Sequence, residues 1–433
     1  MTPQNLQSTN MLVSNVNATP PSAFVALRYR NFQLLWIGQL ISLAGTRMQV
    51  AAILWHVSLL VAPGRKGIAL GFVGLANLIP ILILSPVSGV IADARDRRRT
   101  MLVTQTCMIL LATVLATLTF RGSVRVWQIY LLTSLGAAAS AFDGPARQAL
   151  IPNLVPRKHL PNALSLNTIM FQLASVVGPS LAGVWIALFG VVWVYVFNAA
   201  SFLAVIAGLL LMRDLPKIPA AAPVRIGRKA VGEGLRFVFT SPMIRSTMLV
   251  DFFATFFSSA TALLPIFAQD ILKVGAKGYG WLYAAPSVGA LASSLAMARL
   301  IDRIDRRGAV LLRAVVIYGL TTVVFGLSRS FWLTFLCLAA SGAADSVSTV
   351  LRNVIRQLGT PDHLRGRMTG VNMVFFMGGP QLGELEAGAV AQWCGAVFSV
   401  VSGGIGCLLI TLWIAAATPA LRSYRREEPF IPA

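Results

Sequence analysis

Twelve stretches of this 433-residue chain run apolar for about twenty residues or more, the length an α-helix needs to cross a bilayer core of about 30 Å. They lie at about 32–60, 68–92, 101–120, 126–145, 164–188, 191–212, 246–271, 279–300, 310–327, 331–350, 369–393 and 397–417. Hydrocarbon offers backbone N–H and C=O groups no partner, so a chain of this pattern must form helices that satisfy their own backbones. The expectation is an all-α polytopic membrane protein with twelve transmembrane helices. Hydrophobic residues make up 56% of the chain and charged residues 12%, which leaves too little polar surface to coat a soluble domain.

The net charge of +21 would suit a nucleic-acid binder, but its placement argues against that. Of the 36 Lys and Arg, 28 fall in segments on the side shared by the two termini and 7 on the opposite side, while Arg47 sits inside the first run. Short cytoplasmic loops retain positive charge, so both termini are expected in the cytoplasm, and no nucleic-acid partner is needed to explain the basicity. Cys107, Cys337, Cys394 and Cys407 lie within apolar runs without metal-ligand spacing and read as packing residues. Residues 1–21 are polar and lack the basic-then-apolar order of a cleaved signal peptide, which suggests a disordered cytoplasmic tail.

The loops repeat. Asp93, Asp96, Arg97 and Arg98 recur as Asp302, Asp305, Arg306 and Arg307 at an offset of 209, and Arg147, Pro156 and Asn167 recur as Arg352, Pro361 and Asn372 at an offset of 205. Two six-helix bundles follow, at 32–212 and 246–417, joined by the polar stretch 213–245 and flanked by tails at 1–31 and 418–433. Parallel repeats of this kind build transporters whose substrate site lies between the halves near the membrane midplane.

Gly89, Ile91, Ala92, Asp93, Arg97 and Arg98 follow the loop signature G-x-L-a-D-r-x-G-r-k, with departures at Ala94 and Asp96. At these residues the chain resembles the major facilitator superfamily, and the resemblance covers nearly all of it. The repeated Asp-x-x-Asp-Arg-Arg and the run Asp143-Gly144-Pro145-Ala146-Arg147 look like the drug:H⁺ antiporter-3 branch, which is similar to enterobactin-type siderophore exporters and macrolide efflux proteins. Residues 174–183 are similar to that superfamily's antiporter motif g-x-x-x-G-P-x-x-G-G. Gly178, Pro179 and Gly183 are in place, and Gly379-Pro380-Gln381-Leu382-Gly383 repeats part of it in the eleventh run. Small residues let helices approach closely, and proline bends a helix by freeing backbone groups. The superfamily's arginine motif of the fourth helix is not visible between residues 126 and 142. The resemblance implies gating roles for Gly89, Asp93, Arg97, Arg98 and Arg147 and for Asp302, Arg306, Arg307 and Arg352. Asp93 would pair with Arg147, and Asp302 with Arg352, to hold the cytoplasmic side closed.

Ionisable side chains inside membrane segments are costly and need a reason. Arg47 lies about fifteen residues into the first run, and Glu384 lies at a similar depth in the eleventh. Both are candidates to face a central cavity in which a carboxylate near an arginine exchanges its proton for substrate. Glu386 points about 200° away from Glu384 around the helix, so only one of the two is expected to line that path. A structural ion pair is the competing reading for all three. Asp251 stands either as a second proton site or as a residue snorkelling to the interface. Asp143 and Asp345 are read as gating residues. The aromatics Phe252, Phe253, Phe256 and Phe257, with Trp36, Trp55, Phe375 and Phe376, would suit a large amphipathic substrate, although bilayer packing explains such rings as well.

No G-x-x-x-x-G-K-[ST] loop occurs, which argues against an ATP-driven pump. The sequence points to a non-enzymatic secondary transporter of the bacterial inner membrane, monomeric, with no cofactor or metal and a proton gradient as energy source. Its expected task is efflux of a small amphipathic compound, siderophore or drug-like, by proton antiport. The alternatives are a proton-coupled importer of the same fold and a transport-inactive receptor or scaffold.

Overall fold

The structure, a computed structural model, describes residues 24–94, 96–213, 228–361 and 364–426, and among these no strand occurs. The long helices are α1 Arg30–Leu60, α2 Lys66–Ala94, α3 Arg97–Phe120, α4 Val126–Leu150, α5 Leu160–Phe189 and α6 Val191–Leu211. After a helix within the polar stretch, α7 Arg228–Thr240, come α8 Pro242–Ser258, α9 Gly275–Leu300, α10 Arg307–Leu327, α11 Phe331–Leu358, α12 Arg365–Cys394 and α13 Ala396–Ala417, and α14 Pro419–Ser423 closes the described chain. Between α8 and α9 the chain continues as short helical turns ending in a π-helical segment, Phe267–Ile271. Together with α8 this makes one membrane span, Pro242–Ile271.

Among the described residues ten helices are long and apolar enough to cross a membrane by length and composition alone. The other two expected spans, α4 and α12, are 25 and 30 residues long. They miss on polarity, because α4 carries Asp143 and Arg147 and α12 carries Glu384 and Glu386. Both pack closely against α2; Glu384 lies against its Gly74, while Asp143 bonds to α3 and Arg147 to α1. The structure is an all-α polytopic membrane fold.

The first six long helices pack among themselves, through α1 with α5 and α6, α2 with α4, and α3 with α4 and α6. The last six pair in the matching way, through α9 with α11, α10 with α11 and α13, and α8 with α12 and α13. Contact between the two groups runs through α5 with α9 and α2 with α12. The repeat reaches the turns: Gly190, between α5 and α6, and Gly395, between α12 and α13, stand 205 residues apart with φ of 87° and 90°. That left-handed region lets two antiparallel helices join through one residue at no steric cost only for glycine.

Apolar cores reveal which end is shut. At the end away from the termini, one continuous core draws residues from both halves, including Trp55, Leu70, Leu264, Phe267 and Tyr279. At the terminus end, one core holds only residues between 26 and 212, and a separate one only residues between 250 and 424. α7 was not expected in the polar stretch. It docks Val238 on Ile244, Met248 and Met368 of the second half, and its Glu233 pairs with Arg367.

Candidate transport site between the two halves

Sealing at the end away from the termini is polar as well as apolar. Lys66, 8% exposed at the start of α2, places its Nζ 3.0 Å from Asp270 Oδ2 and 3.1 Å from Gln269 Oε1, both in the π-helical segment of the other half. Gln269 donates in turn to Ser58 Oγ of α1 at 2.7 Å. Tyr279 of α9 donates its hydroxyl to the Ala51 carbonyl at 2.8 Å and stacks near Trp55, with ring centroids 5.1 Å apart. A buried ammonium is tolerable only when paired and hydrogen-bonded, and here each partner lies across the seam.

Arg47 of α1 and Glu384 of α12 meet different neighbours. Arg47 has its guanidinium carbon 5.1 Å from the Phe171 ring centroid, and its Nε has no hydrogen-bond partner among the described residues. Gly178 makes room for it: a Cβ at that position would lie 2.6 Å from Cβ of Arg47. Glu384 lies against Gly74 of α2, where a Cβ would come 2.6 Å from its Oε2. Arg47 and Glu384 form no ion pair with each other among the described contacts. Tyr283 of α9 packs its ring edge-on against Tyr279, with centroids 5.8 Å apart. Gly183 serves the seam between halves, facing Gly280 of α9 with 2.7 Å between its would-be Cβ and Gly280 Cα. The Pro179 carbonyl faces the same glycine. Phe252 meets Phe375 at 6.0 Å, joining α8 to α12. Trp36 instead donates to the Leu166 carbonyl inside the first half, at 3.0 Å.

A family model described as transmembrane secretion effector matches residues 21–428. The chain belongs to that family, within the major facilitator superfamily. Enterobactin exporter EntS of Escherichia coli O1:K1 / APEC is 27% identical over 405 residues, 93% of this chain and 95% of that protein. The protein of the same name from Shigella boydii serotype 18 matches at the same identity and coverage. Among solved structures, a bacterial homologue of the iron transporter ferroportin in an inward-facing state aligns with a TM-score of 0.67 at 16% identity, over 89% of this chain and 99% of that one. A bacterial homologue of the human lysosomal transporter Spinster, inward-facing and unoccupied, aligns with 0.69 at 13%, over 91% and 98%. At those identities the likeness establishes the fold. This chain is a multi-pass membrane transporter for a small molecule, and not an enzyme.

In this transporter the repeated loops have diverged. Asp96 caps α3, its Oδ1 accepting from the backbone N–H of Arg98 at 2.9 Å and of Arg99 at 3.3 Å, so the residue standing where the superfamily has glycine starts a helix. Arg97 donates to the Ala149 carbonyl at 2.8 Å and Arg98 to the Leu210 carbonyl at 3.3 Å. Cations there meet the electronegative C-terminal ends of α4 and α6. In the second half, Arg306 is the N-cap residue of α10 without a side-chain cap. Arg307 is buried, and the adjacent Gly308 N–H donates to the Tyr424 carbonyl of the tail.

The pairing expected between Asp302 and Arg352 is absent in this conformation. Asp302 sits in an exposed turn beyond α9, 3.8 Å from Arg426. Arg352 lies inside α11, 3.0 Å from Asp251 and 3.4 Å from Asp345. Asp251 does not snorkel: it is 1% exposed and also holds Arg356 at 3.4 Å, which in turn reaches Asn353 and Asn372. The first half answers with a neutral version, in which Arg147 donates to Gln39 Oε1 of α1 at 3.0 Å. The side chain of Asp93, and with it the expected pair with Arg147, lies outside the described residues. Gly89 falls within α2, and Glu386 is half-buried, about 200° around the helix from Glu384.

Lys66, Asp270, Gln269, Tyr279 and Tyr283 escaped the sequence reading. Lys66 looked like one more loop charge, and tyrosines in an apolar run carry no signal until a partner helix is known.

Proposed function

We propose that this transporter exports a small amphipathic compound across the bacterial inner membrane in exchange for protons, by alternating access. The termini are cytoplasmic, so the sealed end is periplasmic. The halves at 32–212 and 246–417 rock as units about α2–α12 and α5–α9. The stretch 213–245 links them, and the tails 1–31 and 418–433 remain in the cytoplasm. The protein works as a monomer and without a cofactor. The gating set of Gly89, Asp93, Arg97, Arg98, Arg147, Asp302, Arg306, Arg307 and Arg352 acts at the cytoplasmic ends.

The observation that carries this reading is a cross-half seal at one end together with a half-buried carboxylate, Glu384, lying against α2 of the other half, and an arginine, Arg47, packed against α5. A carboxylate in that setting can be neutralised by a proton or engaged by a cationic or hydrogen-bonding substrate, and competition between the two couples opposite flows. The 27% identity to enterobactin exporters supports a siderophore-like cargo and the outward direction.

Proteoliposomes loaded with a pH-sensitive dye and challenged with enterobactin test the reading. Enterobactin movement should bring an opposite proton movement. Glu384→Gln should lower gradient-driven flux at least tenfold while leaving exchange without a gradient within about threefold. Proton movement in the same direction as enterobactin would make the protein a symporter and overturn the antiport reading.

A further inference from the structure

A cavity of about 210 Å³ lies inside the first half, walled by α1, α2, α3, α4 and α6 and lined by neither Arg47 nor Glu384. One wall is a polar stripe on α1: Gln39, Ser42, Thr46 and Gln49, at spacings of three and four residues, which stacks them on one helix face over roughly 15 Å. Opposite stand Asp143 and Arg147, the only charged groups among the described residues of the lining. Gln105 of α3, Asn198 of α6 and Asn77 of α2 face the space without charge.

Three of the lining side chains are unfinished. Gln39 Nε2, Gln105 Oε1 and Thr133 Oγ1 are buried without a hydrogen-bond partner among the described residues, and Gln39 and Gln105 are 3% and 2% exposed. Asp143 takes both its hydrogen bonds at Oδ1, from Thr104 Oγ1 at 3.1 Å and Gln105 Nε2 at 2.9 Å, leaving Oδ2 for another donor. A buried polar group without a partner costs ~1–3 kcal/mol, so orphan donors and acceptors around one space require an occupant that both gives and accepts hydrogen bonds. Apolar cavities stay dry, whereas polar ones of this size hold water, about seven molecules at ~30 Å³ each.

We propose that this space is a hydrated channel through the first half that gives protons access to Asp143, apart from the substrate path between the halves. The channel lies along α1 from Gln39 to Gln49, and its water completes the hydrogen bonds of Gln39, Gln105 and Thr133. Arg147, held by Gln39, is the one cation lining the space with Asp143, so a proton arriving at Asp143 changes the charge that Arg147 faces. Its use in transport rests on the proton-antiport reading; the site itself does not, and the tests require no transport.

Ala112 lines the cavity at 2% exposure, so a cysteine there meets aqueous reagent only through the channel. With the exposed Cys107 and Cys394 replaced by alanine, Ala112→Cys should react with 2-aminoethyl methanethiosulfonate at least tenfold faster than native Cys407, which is 0% exposed. Gly136 also lines the space, and a Cβ there would meet nothing within 4 Å, so a side chain can start there, and Gly136→Leu should narrow the channel and slow that labelling at least tenfold. In pH-difference infrared spectra of the purified protein in nanodiscs, Asp143→Asn should remove a carboxyl band, and Gly136→Leu should slow that band's deuterium exchange tenfold. Labelling of Ala112→Cys no faster than Cys407 would overturn the channel, and carboxyl bands unchanged by Asp143→Asn would overturn its proton site. If both results hold while proteoliposomes show no proton exchange for enterobactin, the antiport reading fails and the channel stands.

Discussion

At the scale of single residues, the signature loop and its twin show how one charge pattern serves two structural tasks. Asp96 spends its carboxylate on the first turn of α3, satisfying N–H groups that the helix cannot pair internally. Asp96→Ala should destabilise the protein by about 1 kcal/mol and Asp96→Asn by far less, read as the midpoint of thermal unfolding in detergent. Asp251 is the opposite case, a carboxylate 1% exposed between Arg352 and Arg356. Asp251→Ala leaves buried Arg356 without its carboxylate and Arg352 with Asp345 alone, and should cost ~3–5 kcal/mol. The triple change to Leu at Asp251 with Met at Arg352 and Arg356 should recover much of it, because removing buried charges together is far cheaper than breaking their pairs, and the Asp345 left behind has a side chain 39% exposed. Thermal unfolding again measures both, and a small loss from Asp251→Ala alone would mean that water reaches the cluster. Among the described residues Arg147 has the neutral partner Gln39 and no such cluster, and Arg147→Gln should therefore cost less than Arg352→Gln.

At the scale of elements, the antiporter-like segment of α5 divides its labour. Gly178 yields space to Arg47 within its own half, and Gly183 lets α5 touch α9 across the seam. Gly183→Val should push the two helices apart and lower transport at least tenfold, while Gly136→Ala, into open space, should leave folding unchanged; flux and size-exclusion profiles separate the two effects. Much of this architecture was legible in sequence, since apolar runs of bilayer length leave a chain few alternatives. Helix ends were less so. Pro145 marked the expected end of the fourth span, yet α4 continues to Leu150, because a proline inside a membrane helix is tolerated where neighbours support the freed backbone. Arg352 and Arg356 suggested a loop, yet they are buried residues of α11. A cation's place depends on its counterion, and Asp251 lies 101 residues from Arg352 in sequence. α7 is amphipathic but short and flanked by prolines and arginines, so its helical stability comes from the groove it docks in, which sequence does not display.

At the scale of the whole molecule, one core joins the halves at the end away from the termini and two unjoined cores lie at the other. Buried apolar packing is close to a solid, so a transporter built this way changes state by breaking one seam as a unit rather than by gradual deformation. The Lys66 contact with Asp270 and Gln269 spans that seam. Lys66→Ala removes a cation but leaves its partner Asp270, whose side chain is 48% exposed, free to hydrate, so the expected effect is a population shift and not unfolding. The central claim is that this seam opens and closes during transport. Spin labels at the exposed flanking positions, Arg65→Cys and Lys273→Cys, in a chain with Cys107 and Cys394 replaced, measure its width by pulsed electron–electron resonance in nanodiscs. The account predicts one short distance at rest, a second and longer population when enterobactin or a pH step is applied, and the longer population enriched by Lys66→Ala. A single distance indifferent to enterobactin, to pH and to Lys66→Ala would contradict it.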